Sequence, residues 1–432
     1  MSLPIMGSQL PLSTYLPAIY AKHMGISLYA LGAIFLGERI WSTLADPLVG
    51  WLCDRTSSRF GRRKVWIASG ALLFALAYGF LFFPALRVTP FSLTVALACL
   101  FLAWSMIVVP YFAWSGELSP DYHERTRITT YQTVMTNVSL LAVLAVPAVV
   151  ERLYPGNDLL KLNAMGAAVL LPMIPGTLLM LWSFPDTASA PKVRQTQSMS
   201  FAQMLRSIAG EAMLIRIMTA DFLILAAQGA RGGLFIFYVG YVLGMPEVGA
   251  SLFLFQFIFG IAAAPLWQAV SRRIGKHRAY LWAEAIQSAI NFALVLVGKG
   301  NLPLFLALAL VQGLTQGAGN LILRAMLADL ADEYRLRTGT DRTAILFSLF
   351  SISGKAGSAV PLGIALPLIA WFGFNPTAAI QPASGILALS LVFALVPGFA
   401  HLLAMLLMRR FSIDEARQVA IRQQLEARET IA

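Results

Sequence analysis

GERIWSTLADPLVGWLCDRTSSRFGRRK, residues 37–64, decides the fold. It begins as an apolar helix that carries three charges, Glu38, Arg39 and Asp46. It ends in a turn holding Arg55, Arg59, Arg62, Arg63 and Lys64. A charge inside a membrane helix is expensive and marks a functional position by default. A basic turn directly after such a helix marks the cytoplasmic side of the bilayer. The stretch therefore both names the solvent of the chain and orients it.

Composition agrees. Of 432 residues, 58% are hydrophobic and 12% are charged, about half the charged share of a soluble domain. Mean hydropathy is +0.71, more apolar surface than a water-soluble chain of this length can hide. The net charge of +11 raises the question of nucleic acid. The basic residues sit in short loops between apolar runs, as membrane orientation requires, so no nucleic-acid partner is expected. Cys53 and Cys99 lie in apolar runs, and His23, His123, His277 and His401 are scattered without ligand spacing. Neither a disulfide framework nor a metal site is expected. The N-terminus lacks a basic n-region and a small-residue cleavage motif, so no cleavable signal peptide is expected.

A membrane helix needs about 20 mostly apolar residues. Twelve such runs are present, at 3–20, 27–53, 65–86, 91–114, 128–150, 162–184, 213–242, 249–270, 279–297, 302–330, 343–372 and 386–408. Loop charge alternates. The even-numbered loops and the tail hold 22 Lys and Arg, the opposite loops hold five, and five lie within runs. This asymmetry puts both termini in the cytoplasm, and a miscounted run would break it. The predicted organisation is a six-helix bundle at 1–184, a cytoplasmic loop at 185–212, a second bundle at 213–410 and a tail at 411–432. The tail reads as a short amphipathic helix at a solvated end. SRRIGKHR, residues 271–278, is a shorter counterpart of the basic turn after the second run. Like features in each half point to a duplicated unit that holds its substrate between the halves and exposes it alternately. The fold class is an all-α membrane protein with twelve transmembrane helices in two six-helix bundles. A monomer in a cytoplasmic (inner) membrane is expected.

Several polar side chains interrupt the apolar runs. Arg39, Ser42 and Asp46 are spaced i, i+3 and i+7 and share a helix face. That face either holds a cation or proton, or braces the bundle through ion pairs. Lys355, in SISGKAGSAV, stands twelve residues into the eleventh run. An ammonium at that depth needs a carboxylate or a wet cavity, and the small residues around it permit close helix approach. Pairing of Asp46 with Lys355 across the halves, changed by proton or cation binding, is one hypothesis. A structural ion pair is the other. Arg231, beside Gly229, Gly232 and Gly233, suits a carboxylate or phosphate on the solute, or an internal acid. The glycines would let the helix bend or a solute approach. Gln312, Gln316 and Asn320, at i, i+4 and i+8, form a polar stripe that serves a solute or ties helices together. Tyr111 and Phe112 are candidate solute contacts against a background of packing aromatics. In the basic turn, Asp54, Arg62 and Arg63, with Arg39 above them, can form a salt-bridge latch as well as set topology.

No phosphate-binding G-x-x-x-x-G-K-[ST], no G-x-S-x-G and no metal-binding His pair occurs in the sequence, so no enzyme and no cofactor are expected. Energy would come from an ion or solute gradient. The implied partners are a small-molecule solute, a coupling cation (H+ or Na+) and the lipid bilayer.

The turn DRTSSRFGRRK resembles the loop signature of the major facilitator superfamily. RIWSTLADPLVGW before it resembles the glycoside–pentoside–hexuronide:cation symporter family. VPYFAWSGELSPDYHERTRIT (109–129), MLADLADEYRLRTGTDRTAILFSLFSISGKAGSA (326–359) and GFNPTAAIQPASGILAL (373–389) resemble other segments of that family. The resemblance spans nearly the whole chain and implies the major facilitator fold and cation-coupled transport of a small organic solute. By resemblance Asp46 is the second acid of the family's cation site. Ser42 stands where the first acid is expected, Ala45 where an amide is expected, and Ser105 supplies the hydroxyl from the fourth helix. Lys355 matches the family's lysine. The loss of two donors shifts the expectation toward proton coupling or a reduced cation site, with sodium kept open. The family's sugar-binding acids fall on Val108 and near Met6, its arginine on Gln132 or Thr133, and an aromatic on Asn320. A galactoside held in the family manner is therefore not expected. The lost acids and the gained Arg231 point to a sugar acid, a related anion or a less polar solute. The alternatives are a lysolipid or amphipathic-solute transporter, and a transport-dead sensor or membrane-assembly partner. Family members carry a lead before the first helix, so the natural start is expected upstream of Met1.

Overall fold

The computed structural model describes residues 2–56, 58, 60–84, 88–117, 122–183, 211–339, 343–378, 380–411, 413 and 415–431, with the side chain of Asp54 outside that description. The described chain is helical throughout. The first run is built from α1 (Ser2–Gly7), a π-turn at Pro11–Tyr15 and α2 (Leu16–His23). Then follow α3 (Leu28–Arg55), α4 (Arg62–Phe82), α5 (Pro90–Glu117), α6 (Tyr122–Leu153) and α7 (Asp158–Ser183). The second series is α8 (Ala212–Phe237), α9 (Gly249–Ile274), α10 (Lys276–Ala293), α11 (Leu302–Thr315), α12 (Ala318–Thr338), α13 (Thr343–Trp371), α14 (Ala383–Met408) and α15 (Glu415–Ile431). Ten stretches among the described residues are long and apolar enough to cross a membrane. The other two runs are the segmented first one and α3, which carries Glu38, Arg39, Asp46, Asp54 and Arg55. The protein is an all-α, multi-pass membrane protein.

Helix ends follow local chemistry. Ser27 is extended, and its hydroxyl accepts the N–H of Ala30 at 3.2 Å, which starts α3. Such a cap satisfies one of the amides a helix start leaves unpaired. Gly61 and Gly275 occupy the same position before α4 and α10, at φ 104°, ψ 146° and φ 83°, ψ 151°. Only glycine holds this conformation cheaply. The two basic turns thus share one backbone device.

The tenth run differs from the continuous helix expected. Gln316 is extended at φ −63°, ψ 133° and Gly317 is left-handed at φ 82°. The run divides into α11 and α12 there, because glycine makes a positive φ accessible. The i, i+4, i+8 stripe of Gln312, Gln316 and Asn320 is broken with it.

By contact the chain groups into two compact units. One comprises Met1–Gln195, Gly233–Leu254 and Leu362–Ile386, and the other Thr196–Gly232, Phe255–Pro361 and Leu387–Ala432. In the first, Gly70 of α4 lies against Met106 and Ile107 of α5, and the rings of Tyr78 and Phe82 stack at 4.0 Å. In the second, Gly357 of α13 meets the backbone of Phe222 in α8, and Ser353 donates to the carbonyl of Met218 at 2.5 Å. The small residues around Lys355 serve close helix approach. The tail differs from a solvated end. Ile413 and Ile421 are buried in the core of the second unit, with Leu425 packed against it. Arg417 reaches Glu333 at 3.4 Å and Arg422 reaches Asp332 at 3.7 Å.

Candidate functional site

In the first unit, Asp46 of α3 accepts the hydroxyl of Ser105 of α5 at 2.5 Å. Ser105 is 1% exposed, and its hydroxyl also lies 3.1 Å from the carbonyl of Phe101. The backbones are set by neighbouring contacts, among them the Trp41 indole N–H on the carbonyl of Ala98 at 3.0 Å. Ser42 turns its hydroxyl onto the carbonyl of Arg39 at 3.1 Å, leaving its oxygen lone pairs as acceptors. Arg39 lies 3.4 Å from Glu38 and its guanidinium stands 5.5 Å from the ring of Phe101. Glu38 is buried. Of these α3 groups, Asp46 and Arg39 meet α5, through Ser105 and the ring of Phe101.

Below them, Arg63 is buried and donates to the carbonyl of Pro110 at 3.3 Å. Lys64 donates to the carbonyl of Leu181 at 2.7 Å. The basic turn thus binds α5 within its length and α7 in its last turn through their carbonyls, the latter where a helix carries partial negative charge. Arg62 is half-buried, and Asp54 cannot be placed in this arrangement because its side chain lies outside the described residues. Tyr111 and Phe112 sit about one and a half turns before the end of α5, with ring centroids 5.4 Å apart, and Phe112 is exposed.

In the second unit, Arg231 of α8 is 5% exposed. Its Nη1 donates to Oδ1 of Asn291 in α10 at 3.4 Å, and its guanidinium lies 5.3 Å from the ring of Phe393 in α14. Asn291 donates to the carbonyl of Gln287 at 2.8 Å. Gln287 donates to Thr315 at 2.8 Å and to the carbonyl of Gln312 at 3.2 Å. A buried guanidinium–amide chain therefore runs from α8 through α10 to α11, joining Arg231 and Gln312. Gln256 of α9 is buried as well. Side-chain atoms of Gln256, Gln287, Gln312 and Asn320 have no hydrogen-bond partner among the described residues. Buried amides in that state keep hydrogen-bonding capacity that the described residues do not use. Gly229 abuts Pro361, so this glycine serves helix packing. Lys355 is exposed, and its carbonyl accepts the hydroxyl of Ser358 at 2.9 Å.

Asn291, Gln287 and Gln256 escape a reading that follows charge, because amides are common in helices. A polar side chain every third or fourth residue within the ninth run (Gln287, Asn291) is the signal that finds them.

A third cluster lies in the first unit. Lys161 of α7 lies 3.1 Å from Glu151 of α6 and 3.2 Å from Asp158, and Asp158 also takes Lys22 at 2.8 Å and His23 at 2.9 Å. The second oxygen of Glu151 accepts the N–H of Ala250 at the start of α9, at 3.0 Å. A carboxylate there faces the positive end of the helix dipole. A cavity of about 230 Å³ adjoins the cluster, lined among others by Tyr15, Lys22, Glu151, Lys161 and Tyr241.

The family model described as MFS/sugar transport protein matches residues 1–415. The putative glycoside/cation symporter YagG of Escherichia coli (strain K12) is 24% identical over 417 residues, which cover 94% of this chain and 88% of that protein. The sodium-dependent lysophosphatidylcholine symporter 1-A of Danio rerio is 23% identical over 430 residues, covering 91% and 80%. Among solved structures, a mutant of the nucleoside transporter NupG superposes with a TM-score of 0.67 at 16% identity, covering 95% of this chain and 97% of that one.

Proposed function

The chain belongs to the MFS/sugar transport protein family, and from that premise we propose that this membrane transporter is a secondary active symporter. It moves a small organic solute, a sugar, sugar acid or related anion, together with a proton or cation, by alternating access between bundles at 1–184 and 213–410. Asp46 carries the coupling ion, with Ser105 and Ser42 as oxygen neighbours and Lys355 as the responding cation. Arg231 and Gln312 contact the solute, with Tyr111, Phe112, Gln316 and Asn320 as further contacts. Arg39, Asp54, Arg62 and Arg63 work as the latch. Both termini lie in the cytoplasm, and the protein resides as a monomer in the inner membrane.

The observation that carries this reading is Asp46, an acid within an apolar helix, held at 2.5 Å by Ser105. An ionisable group at such a position is a binding site for an ion or a proton. Gradient-driven uptake into proteoliposomes tests it. Asp46→Asn is expected to abolish accumulation while solute exchange persists in part. Accumulation that survives the substitution removes Asp46 from coupling. The solute comes from a thermal-shift screen against sugars, sugar acids, phosphorylated sugars and lysolipids, at two pH values, with and without sodium. Stabilisation by neutral glycosides alone counts against the role of Arg231.

A second reading is transport of a lysolipid or similar amphipathic solute. It is favoured by the exposed apolar side chains on α3 beside Asp46, namely Trp41, Leu44, Leu48 and Trp51, and by the similarity to a lysophosphatidylcholine symporter. Selective stabilisation by lysolipids in the same screen decides for it.

A further inference from the structure

Glu284 and His401 have no part in the scheme above. Glu284 stands on α10 about 12 Å from the helix start at Lys276, and His401 on α14 about 10 Å from the end at Met408, at 1.5 Å per residue. Both helices are long and apolar enough to cross a membrane. Nδ1 of His401 lies 2.7 Å from Oε2 of Glu284, and the side chains are 5% and 2% exposed. The two helices are brought together there by small contacts. Ser288 donates to the carbonyl of Gly398 at 2.9 Å, and Gly398 lies under the ring of Phe292. On the opposite side, Gly319 of α12 leaves room for the carboxylate, since a Cβ there would meet Glu284 Oε1. Backbone has been kept clear for this one charged group.

The charges that face the pair are few. From α10 itself comes Tyr280, which lies in electrostatic reach of both Glu284 and Asp221. From α8 comes Asp221, which is buried and lies within electrostatic reach of Arg324 of α12. Asp221 Oδ2, the Tyr280 hydroxyl and Asn320 Oδ1 are buried without a hydrogen bond among the described residues. Glu284 ionised beside a neutral imidazole leaves one net negative charge buried, which is strongly unfavourable. One proton added to the imidazole makes the pair neutral overall, an imidazolium facing a carboxylate.

We propose that Glu284 and His401 together form a proton-binding site within the membrane region, separate from Asp46. The site holds one proton between a carboxylate of α10 and an imidazole of α14, with the Tyr280 hydroxyl and Asp221 beside it toward α8. Its role in coupling, as a second ion position that makes transport proton-linked, rests on the symporter reading. Proton binding itself does not.

The test is a titration of the full chain in lipid nanodiscs with nitrogen-labelled histidine. The sequence has four histidines, and H401Q assigns the His401 signal. Over a pH series, the His401 nitrogens of the wild type are expected to pass through one transition. In E284Q that transition is expected about one pH unit or more lower, a tenfold weaker hold on the proton, because the imidazolium has lost its carboxylate. A His401 signal fixed in one state across the range, or an E284Q midpoint equal to the wild type, overturns the proposal and leaves the pair structural. If E284Q does not fold, infrared difference spectra between wild type and H401Q over the same pH range take its place. A carboxylate band that changes with pH in the wild type and is altered in H401Q supports the site, and identical spectra overturn it. No solute enters either measurement, so a failure of the transport reading leaves the outcome legible.

Discussion

Glu151 and Lys161 lie 3.1 Å apart with side chains 2% and 8% exposed, and the spare oxygen of Glu151 closes on the backbone of Ala250. A buried ion pair of this kind is worth little over a good apolar pair, but removing one partner is severe, because it strands the other charge. Glu151→Gln is expected to lower stability by about 2–3 kcal/mol, less than for a fully orphaned charge because Asp158 still faces Lys161. The double variant Glu151→Gln with Lys161→Met is expected to recover much of that loss. Thermal unfolding of the three proteins in detergent gives the answer, and a double variant no better than the single one would refute the pairing.

The Ser105 hydroxyl is the next target. A hydrogen bond to a charged group contributes about 1.5–3 kcal/mol, a tenfold to hundredfold change in ion affinity if it is felt in only one state. Ser105→Ala is expected to weaken the apparent affinity for the coupling ion by about tenfold, with exchange of solute retained. Ser105→Thr keeps the hydroxyl and is expected to stay near wild type. Ion-dependence curves of uptake in proteoliposomes separate the two.

The close approach of α8 and α13 is tested through Gly357. A Cβ at Gly357 would sit 2.7 Å from the carbonyl oxygen of Phe222, whereas none of the described atoms lies within 4 Å of one at Gly37. Gly357→Val is expected to lose about 1–3 kcal/mol through overpacking. Gly37→Ala is expected to be neutral or slightly stabilising, since alanine replaces glycine inside a helix. Melting temperatures of the two variants should move in different directions or by clearly different amounts.

Gly317 is held at φ 82° between α11 and α12. Gly317→Ala is expected to cost about 1–2 kcal/mol, the penalty of a left-handed conformation for a residue with a Cβ. Gly317→Asn is expected to lose less, because asparagine tolerates that region. Equal losses would mean that space, and not backbone conformation, limits the site.

Much of this architecture is legible in the sequence, because lipid imposes a strong rule. Every spanning segment must be a long apolar helix, and every short cytoplasmic loop attracts Lys and Arg. The stretch at 37–64 gives the helix, the turn and their order directly. Partners are harder to read. Arg231 meets Asn291 sixty positions later, and Glu284 meets His401 at a separation of 117. No local pattern encodes such pairings. The juxtaposition of Asp46 with Ser105 was accessible only through family resemblance. Glu284 could have been found alone, as an acid inside an apolar run, but its imidazole could not. The break at Gln316 and Gly317 escaped because hydropathy is blind to backbone angles, and a lone glycine in an apolar run is ordinary in membrane helices.

The shared turn at Gly61 and Gly275 has a practical consequence. The chain contains the same backbone experiment twice, with different flanking residues: Phe60 and Arg62 at one copy, Ile274 and Lys276 at the other. A probe or substitution placed at one copy has its matched control at the second, in the same molecule and the same lipid. An asymmetry between the two readings reports what the flanking residues, and not the shared backbone, contribute.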